Sequence, residues 1–430
     1  MKLWDKGYSI DNIVERFTVG KDRELDLVLA KYDVRGSMAH ARMLSSIGIM
    51  EPEELDDVIR ALEEILLTIE NGDFYIEETF EDVHSKIEYE LVDRIGEAGK
   101  KIHTARSRND QVLVDLHLYL KDEIVKVEEL IQILFDELLK LSEQNKFVFL
   151  PGYTHLQIAM PSTFGLWFGS YAETLIDDVI QLNAAYEIAD QNPLGSAAGY
   201  GSSFPIDRKM TTDLLNFSSM KFNSAASQMS RGKLEKSVAF GLSSLASTLS
   251  KFAADICLYS SQNFDFVGFP RELTTGSSIM PHKKNPDVFE LVRAKCNKVQ
   301  SLPTEVMLIT NNLTTGYHRD FQLLKEGIME SIETMKDILE VVTFMVGHIT
   351  INTALLEDSK YHEIFSVEEV NELVKKGMSF REAYQEVALL IDSGKYKPDI
   401  KLPTHSHEGS IGNLCTEEIR LKMARHQNKP

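Results

Sequence analysis

An all-helical fold, organised round a central bundle of five long helices, is what this sequence predicts. Three observations predict it. Between Leu113 and Ile349, five separate stretches carry apolar residues at steps of three and four, the spacing of one helix face. No segment shows the apolar/polar alternation of a half-buried strand. Clusters of Gly, Pro and Ser fall between the periodic stretches, where connections belong.

The N-terminal part, to about residue 104, reads as shorter helices. Tyr32–Ile47 and Glu53–Ile69 have helical spacing, the second through Leu55, Ile59, Leu62, Leu66 and Ile69, with Pro52 suited to its start. A third helix is expected over Asp82–Ile95. The first long stretch then runs Leu116, Leu120, Ile124, Val127, Ile131, Leu134, Leu138 and Leu141. The second runs from Phe164 to Tyr186, and the third from Leu234 to Tyr259. The fourth, from Val288 to Leu313, is expected to kink at Pro303. The fifth runs from Phe321 to Ile349. Beyond about Asp358 small helices return at Val367–Lys375 and Phe380–Ser393, followed by a Pro/His/Ser/Gly loop through Gly412.

The chain has 430 residues, and single cores stop growing beyond ~250–300 residues, so three domains are expected: 1–104, 105–357 and 358–430. Second apolar stripes, Ile133 with Leu130 and Ala239 with Ala246, predict burial of more than one helix face and hence a homo-oligomer. The net charge of −20 argues against nucleic-acid or anionic-membrane partners and requires a local basic cluster for any anionic ligand. Cys257, Cys296 and Cys415 are scattered and odd in number, as in a reducing cytoplasm. Met1 to Asn12 has no apolar signal core, and the most apolar run, Val341–Ile351, falls short of the ~20 residues that span a bilayer.

Four constellations carry chemistry. Gly276-Ser277-Ser278-Ile279-Met280-Pro281-His282-Lys283-Lys284-Asn285-Pro286 is a Gly/Ser loop with two lysines that runs into a helix start, where Asn285 suits the N-cap, Pro286 the first helical position and Asp287 the dipole. Such a loop suits anion holding and proton transfer. His103-Thr104-Ala105-Arg106-Ser107-Arg108-Asn109-Asp110-Gln111 concentrates donors where the first long helix begins, with Ser107 or Asn109 equally able to serve as a cap. Pro151-Gly152-Tyr153-Thr154-His155-Leu156-Gln157 places a hydroxyl and an imidazole before the second long helix. Tyr317-His318-Arg319-Asp320-Phe321-Gln322, with Lys325 one turn on, opens the fifth. Each, taken alone, also reads as a polar loop or cap, and a lone loop histidine such as His155 is more often structural than catalytic. His405 and His407 form the one tight histidine pair and lack zinc-site spacing, so no metal is expected. No GxGxxG or P-loop pattern calls for a nucleotide cofactor.

In their joint order these motifs resemble the fumarase/aspartase superfamily and, within it, the argininosuccinate lyases. Gly276–Pro286 is similar to the superfamily signature, and His103–Gln111 to a pattern more particular to argininosuccinate lyases. Pro151–Gln157, Pro193-Leu194-Gly195-Ser196 and Tyr317–Lys325 match in order and spacing, so the resemblance covers nearly the whole chain. It implies a three-domain helical fold, a homotetramer whose active sites combine loops from three subunits, and reversible, cofactor-free cleavage of argininosuccinate to arginine and fumarate in arginine biosynthesis. Matched residue by residue, it implies Ser277 as base, Lys283 and Asn285 as stabilisers of an aci-carboxylate, and His155, oriented by Glu290, as general acid. It implies Thr18, Ser107, Arg108, Asn109, Thr154, Tyr317, Gln322 and Lys325 as substrate-binding residues. The alternatives are a sister lyase acting on adenylosuccinate, whose loop His282 resembles, and a non-catalytic helical scaffold derived from such an enzyme. This chain departs from the family pattern at Leu3–Tyr8, at Arg231-Gly232, at His282, and at Leu323 and Leu324, which replace an acidic pair.

Overall fold

The computed structural model describes residues 11–427, so the departure at Leu3–Tyr8 lies outside the described residues. Helices Asn12–Val19, Asp22–Ser46, Pro52–Glu70 and Val83–Ile95 open the chain. The expected start at Tyr32 is ten residues late, because the first turns of Asp22–Ser46 carry Asp22 and the buried Asp26 where an apolar stripe would begin. Asp82 caps Val83–Ile95, its side chain accepting from Ser85 N.

The long helices are Arg108–Gln144, Phe164–Ala189, Lys233–Tyr259 and Leu324–Val346, the last entered through a 3₁₀ turn at Arg319–Leu323. The fourth stretch is two helices rather than one kinked helix, Asp287–Val299 and Leu302–Thr310. Pro303 falls in the first turn of the second piece, where its missing N–H has no helical partner to lose, so the chain breaks just before it. Helices Ser366–Lys375, Phe380–Asp392 and Thr416–Gln427 complete the described chain. The last buries only Ile419 and Met423 firmly, too sparse a stripe to stand out in the sequence. No helix among the described residues is long and apolar enough to cross a membrane.

The absence of strand alternation is misleading at one place. Phe149–Thr154 (β1) and Gln157–Thr163 (β2) form an antiparallel hairpin, with Pro151 opposite Pro161 and a register shift between Pro151 and Tyr153. Two prolines and a glycine obscure its period. Two-residue pairings also join Gln191–Asn192 to Ser219–Met220 and Val267–Gly268 to Thr350–Ile351.

The chain divides into two compact units. The first gathers Met1–Val127, Gln181–Ser243 and Val299–Thr334. Its N-terminal core packs Val34, Leu44, Val58, Leu62, Ile65, Ile87 and Leu91, each such side chain contributing about 1.5–3 kcal/mol by leaving water. The second gathers Glu128–Ile180, Ser244–Lys298 and Met335–Pro430. Here Trp167 stacks on Phe252 at 5.6 Å, and Trp167 Nε1 and Tyr171 OH both donate to Asp255 Oδ2, at 3.1 and 2.7 Å. Gly165 lets the helix after the hairpin touch the preceding long helix, since a Cβ there would stand 2.6 Å from Lys146 Cα. Of the second apolar stripes, Ala239 and Ala246 are buried inside the chain, whereas Ile133 is exposed.

Candidate active site

In the first unit a cavity of about 260 Å³ is lined by Asp22, Asp26, Glu81, Asp82, His84, Arg108, Asn109, Arg231, Tyr317, Arg319, Gln322 and Lys325. Five of the expected substrate-binding residues therefore meet here: Arg108, Asn109, Tyr317, Gln322 and Lys325. The cations are already paired. Arg108 Nη1 lies 3.0 Å from Asp82 Oδ2 and 3.4 Å from Glu81 Oε2, and its Nη2 donates to Ser85 Oγ at 2.8 Å. Lys325 Nζ, almost completely buried, sits 2.5 Å from Asp22 Oδ1 and 2.7 Å from Asp26 Oδ1. The counter-charge of Lys325 thus comes from carboxylates one turn apart on helix Asp22–Ser46.

The electrostatics follow from burial set against these pairs. Burial opposes charge on Lys325, but Asp26 and Asp22 outweigh it and hold its pKa above the usual lysine value. Burial lifts the Asp22 carboxyl to about 6 against the pull of Lys325. At Asp82 burial also pushes upward, yet His84 and Arg108 outweigh it and hold the carboxyl low.

Thr18 meets this group through its backbone. Its carbonyl accepts from Arg319 Nη2 at 2.9 Å and Gln322 Nε2 at 3.0 Å, while its hydroxyl donates back to Val14 O. Ser107 acts as the cap that its position allowed: its Oγ accepts from Asn109 N, and its own N–H donates to Asp110 Oδ1 at 2.8 Å. The other Asp110 oxygen accepts from Gly195 N at 3.0 Å and Ala197 N at 2.8 Å. One buried carboxylate thereby ties the Pro193–Ser196 motif to the helix start that carries Arg108 and Asn109.

The sequence motifs do not include the acidic half of the cavity or His84; Arg319 stands in the fourth constellation and Arg231 among the departures, neither of them as a binding residue. The available signal was Asp22, Asp26 and Asp33, whose spacing puts three carboxylates on one side of a helix. Behind the cavity, His84 Nδ1 donates to Asp33 Oδ2 and lies 3.8 Å from Asp115 Oδ2. Asp33, His84 and Asp115 are, among the described residues, the group whose ligand atoms lie within 4.8 Å of one another, close enough for a metal ion. Protonated His84 and nearby Arg106 offset Asp33, while burial and the adjoining Asp33 charge push the Asp115 carboxyl well up, which leaves little negative charge to attract a cation.

Burial disfavours the His84 imidazolium, but Asp33 outweighs it and raises the pKa to about 9. A raised pKa contributes stability in full below the unfolded value of ~6.5, and that contribution is lost as pH rises through about 9. The Tm is expected to fall between pH 6.5 and 9.5. His84→Gln, with a lower Tm throughout, should show a flatter decline; equal slopes in the two proteins would refute the assignment.

The remaining expected residues belong to the second unit. Thr154 and Gln157 face each other across the hairpin end, leaving His155 and Leu156 as a two-residue turn. Both have positive φ, 53° and 58°, which costs a non-glycine residue about 1–2 kcal/mol. Thr154 and His155 are exposed, and His155 makes no hydrogen bond to any described residue. The expected His155–Glu290 pair is not formed within one chain; Glu290 is exposed one turn beyond Pro286.

On the loop, Ser277 Oγ accepts from the N–H groups of Ile279 and Met280, at 3.3 and 3.2 Å. Two backbone donors aimed at one hydroxyl oxygen favour its deprotonated form. Lys283 is exposed. Asn285 does not cap the helix as expected, since the first turn closes from Glu290 N to Pro286 O. Instead its N–H donates to Thr275 O at 2.9 Å and its Nδ2 to Gly276 O at 3.4 Å, closing the loop at its base.

A family model described as Lyase matches residues 8–301. The argininosuccinate lyase of Bacteroides fragilis is 56% identical over 424 residues, spanning 99% of this chain and 95% of that protein. The chain belongs to the argininosuccinate lyase family. The Bacteroides thetaiotaomicron argininosuccinate lyase is likewise 56% identical, over 98% of this chain and 94% of that one. Among solved structures, an EDDS lyase variant with bound fumarate shares the fold, with a TM-score of 0.76 at 20% identity over 97% of this chain and 90% of the other. Membership of the argininosuccinate lyase family makes the chain a carbon–nitrogen lyase and bears out the resemblance read from its loop motifs, with the helical fold class.

Proposed function

We propose that this lyase cleaves argininosuccinate reversibly to arginine and fumarate, in the cytoplasm and as a step of arginine biosynthesis, using no cofactor. The observation that carries this reading is the cavity in which Arg108 and Lys325 face Asp22, Asp26, Glu81 and Asp82. A ligand bearing carboxylates and a guanidinium group can engage both halves of such a surface, whereas a simple anion engages one.

In the proposed mechanism Ser277, its oxyanion favoured by the N–H groups of Ile279 and Met280, removes the proton beside a substrate carboxylate. The aci-carboxylate that forms needs positive charge where its own charge develops, which Lys283 and the Asn285 amide would supply. His155, oriented by Glu290, would protonate the departing nitrogen. Thr18, Ser107, Arg108, Asn109, Thr154, Tyr317, Gln322 and Lys325 would hold the substrate. Because His155 and Glu290 do not pair in one chain, the reading takes the site to be shared between copies in a homotetramer. The exposed apolar side chains of Ile133, Phe240 and Phe344 on the long helices, with Leu291 and Leu308 on the two helices of the broken fourth stretch, support such an assembly.

The test offers argininosuccinate and adenylosuccinate in parallel to assembled protein and follows fumarate by its ultraviolet absorbance. A rise with argininosuccinate alone is expected. A rise with adenylosuccinate alone, or none with either, overturns the reading.

A further inference from the structure

The hairpin that presents His155 closes through His155 and Leu156, both in the left-handed region. Two-residue hairpins of this hand are usually closed by Asn-Gly or Asp-Gly, because asparagine, aspartate and glycine enter that region with little steric conflict. Leucine has the opposite properties. Its Cβ is disfavoured there, and at 75% exposure it recovers little by burial. Within one chain the stability of the turn therefore gives no reason for Leu156.

The base of the hairpin holds the two residues in this conformation. Phe149, Leu150 and Pro151 pair in register with Thr163, Ser162 and Pro161. The register then shifts at Gly152, where a Cβ would stand 2.8 Å from Met160 O. Beyond this bulge Tyr153 pairs with Ile158 and packs against Phe264 and Phe266, with ring centroids 5.6 and 6.2 Å away. A hairpin fixed on both sides accepts a two-residue closure only with the matching twist. Within it leucine has few other conformations, whereas glycine occupies positive and negative φ about equally.

We infer that Leu156 is a positioning residue for His155: it confines the turn to one conformation and so fixes the direction of the imidazole. The inference rests on the reading of His155 as general acid. It explains why a residue costly to the fold occupies the second turn position, beside the side chain that must meet a departing nitrogen.

Leu156→Gly and Leu156→Asn, made in the full-length assembled protein, test it through kcat, KM and Tm. Leu156→Gly should keep or raise the Tm and leave KM nearly unchanged, while kcat falls about 10- to 100-fold, the scale on which misplacing a reacting group acts. Leu156→Asn, at home in the left-handed region yet less free than glycine, should retain more of kcat. Undiminished kcat in Leu156→Gly overturns the inference. So does a fall in Tm that tracks the lost activity, since leucine would then be serving the fold. His155→Gln separates the two readings. Full activity in that variant removes the general-acid assignment and the inference with it, whereas lost activity there beside a fully active Leu156→Gly removes the inference alone.

Discussion

Ser277→Ala is expected to lower kcat by about 10²–10⁴-fold, the usual worth of a positioned proton-transfer group, while the assembled protein keeps its Tm. The stability half of this result follows from the loop. Ser277 sits in a segment with exposed neighbours on both sides, and its hydroxyl holds only the N–H groups of Ile279 and Met280, which water can satisfy. The activity half follows from the same contacts: an alanine leaves those two donors aimed at no oxygen. Stopped-flow measurement of fumarate release, with Tm and oligomeric mass recorded on the same sample, checks both halves. Activity near the unsubstituted level would remove Ser277 as the base, and a collapsed assembly would assign it to the fold instead.

Asp110→Ala should produce the largest loss of stability, about 3–5 kcal/mol, read from the urea midpoint. The Asp110 carboxylate is fully buried and accepts from three backbone donors, the N–H groups of Ser107, Gly195 and Ala197. Each donor left without a partner in the interior costs about 1–3 kcal/mol. Asp110→Asn keeps one acceptor oxygen and should lose less. A change below about 1 kcal/mol in Asp110→Ala would mean that water replaces the carboxylate and that the junction is not the anchor described.

The long helices were legible because their apolar spacing is regular and their ends coincide with Gly, Pro and Ser clusters. The failures have physical causes of one kind. Helix Asp22–Ser46 was read short because the buried face of its first turns carries carboxylates, and a pattern that equates burial with apolarity discards them. The hairpin was missed because Pro151, Gly152 and Pro161 occupy the positions where alternation would have appeared. The cationic and hydroxyl-bearing site residues were legible from motifs. Asp82 and Asp26 were not, because their roles come from partners 26 and 299 positions away in the chain, Arg108 and Lys325. Asn285 was read as a cap from its neighbours Pro286 and Asp287, whereas its actual partners at Thr275 and Gly276 lie across a loop that sequence adjacency does not reveal.

The pairing of the cavity's charges bears on what can enter it. Against a net charge of −20 for the whole chain, the lining sets Arg108, Arg231, Arg319 and Lys325 opposite Asp22, Asp26, Glu81 and Asp82. Arg108 and Lys325 are locally neutralised, so the attraction on a distant anion is weak and entry is an exchange of ions. A carboxylate that takes Arg108 or Lys325 strands an acid unless it brings a cation for that acid to hold. Selectivity in such a cavity depends on zwitterionic matching and not on the total charge of the guest.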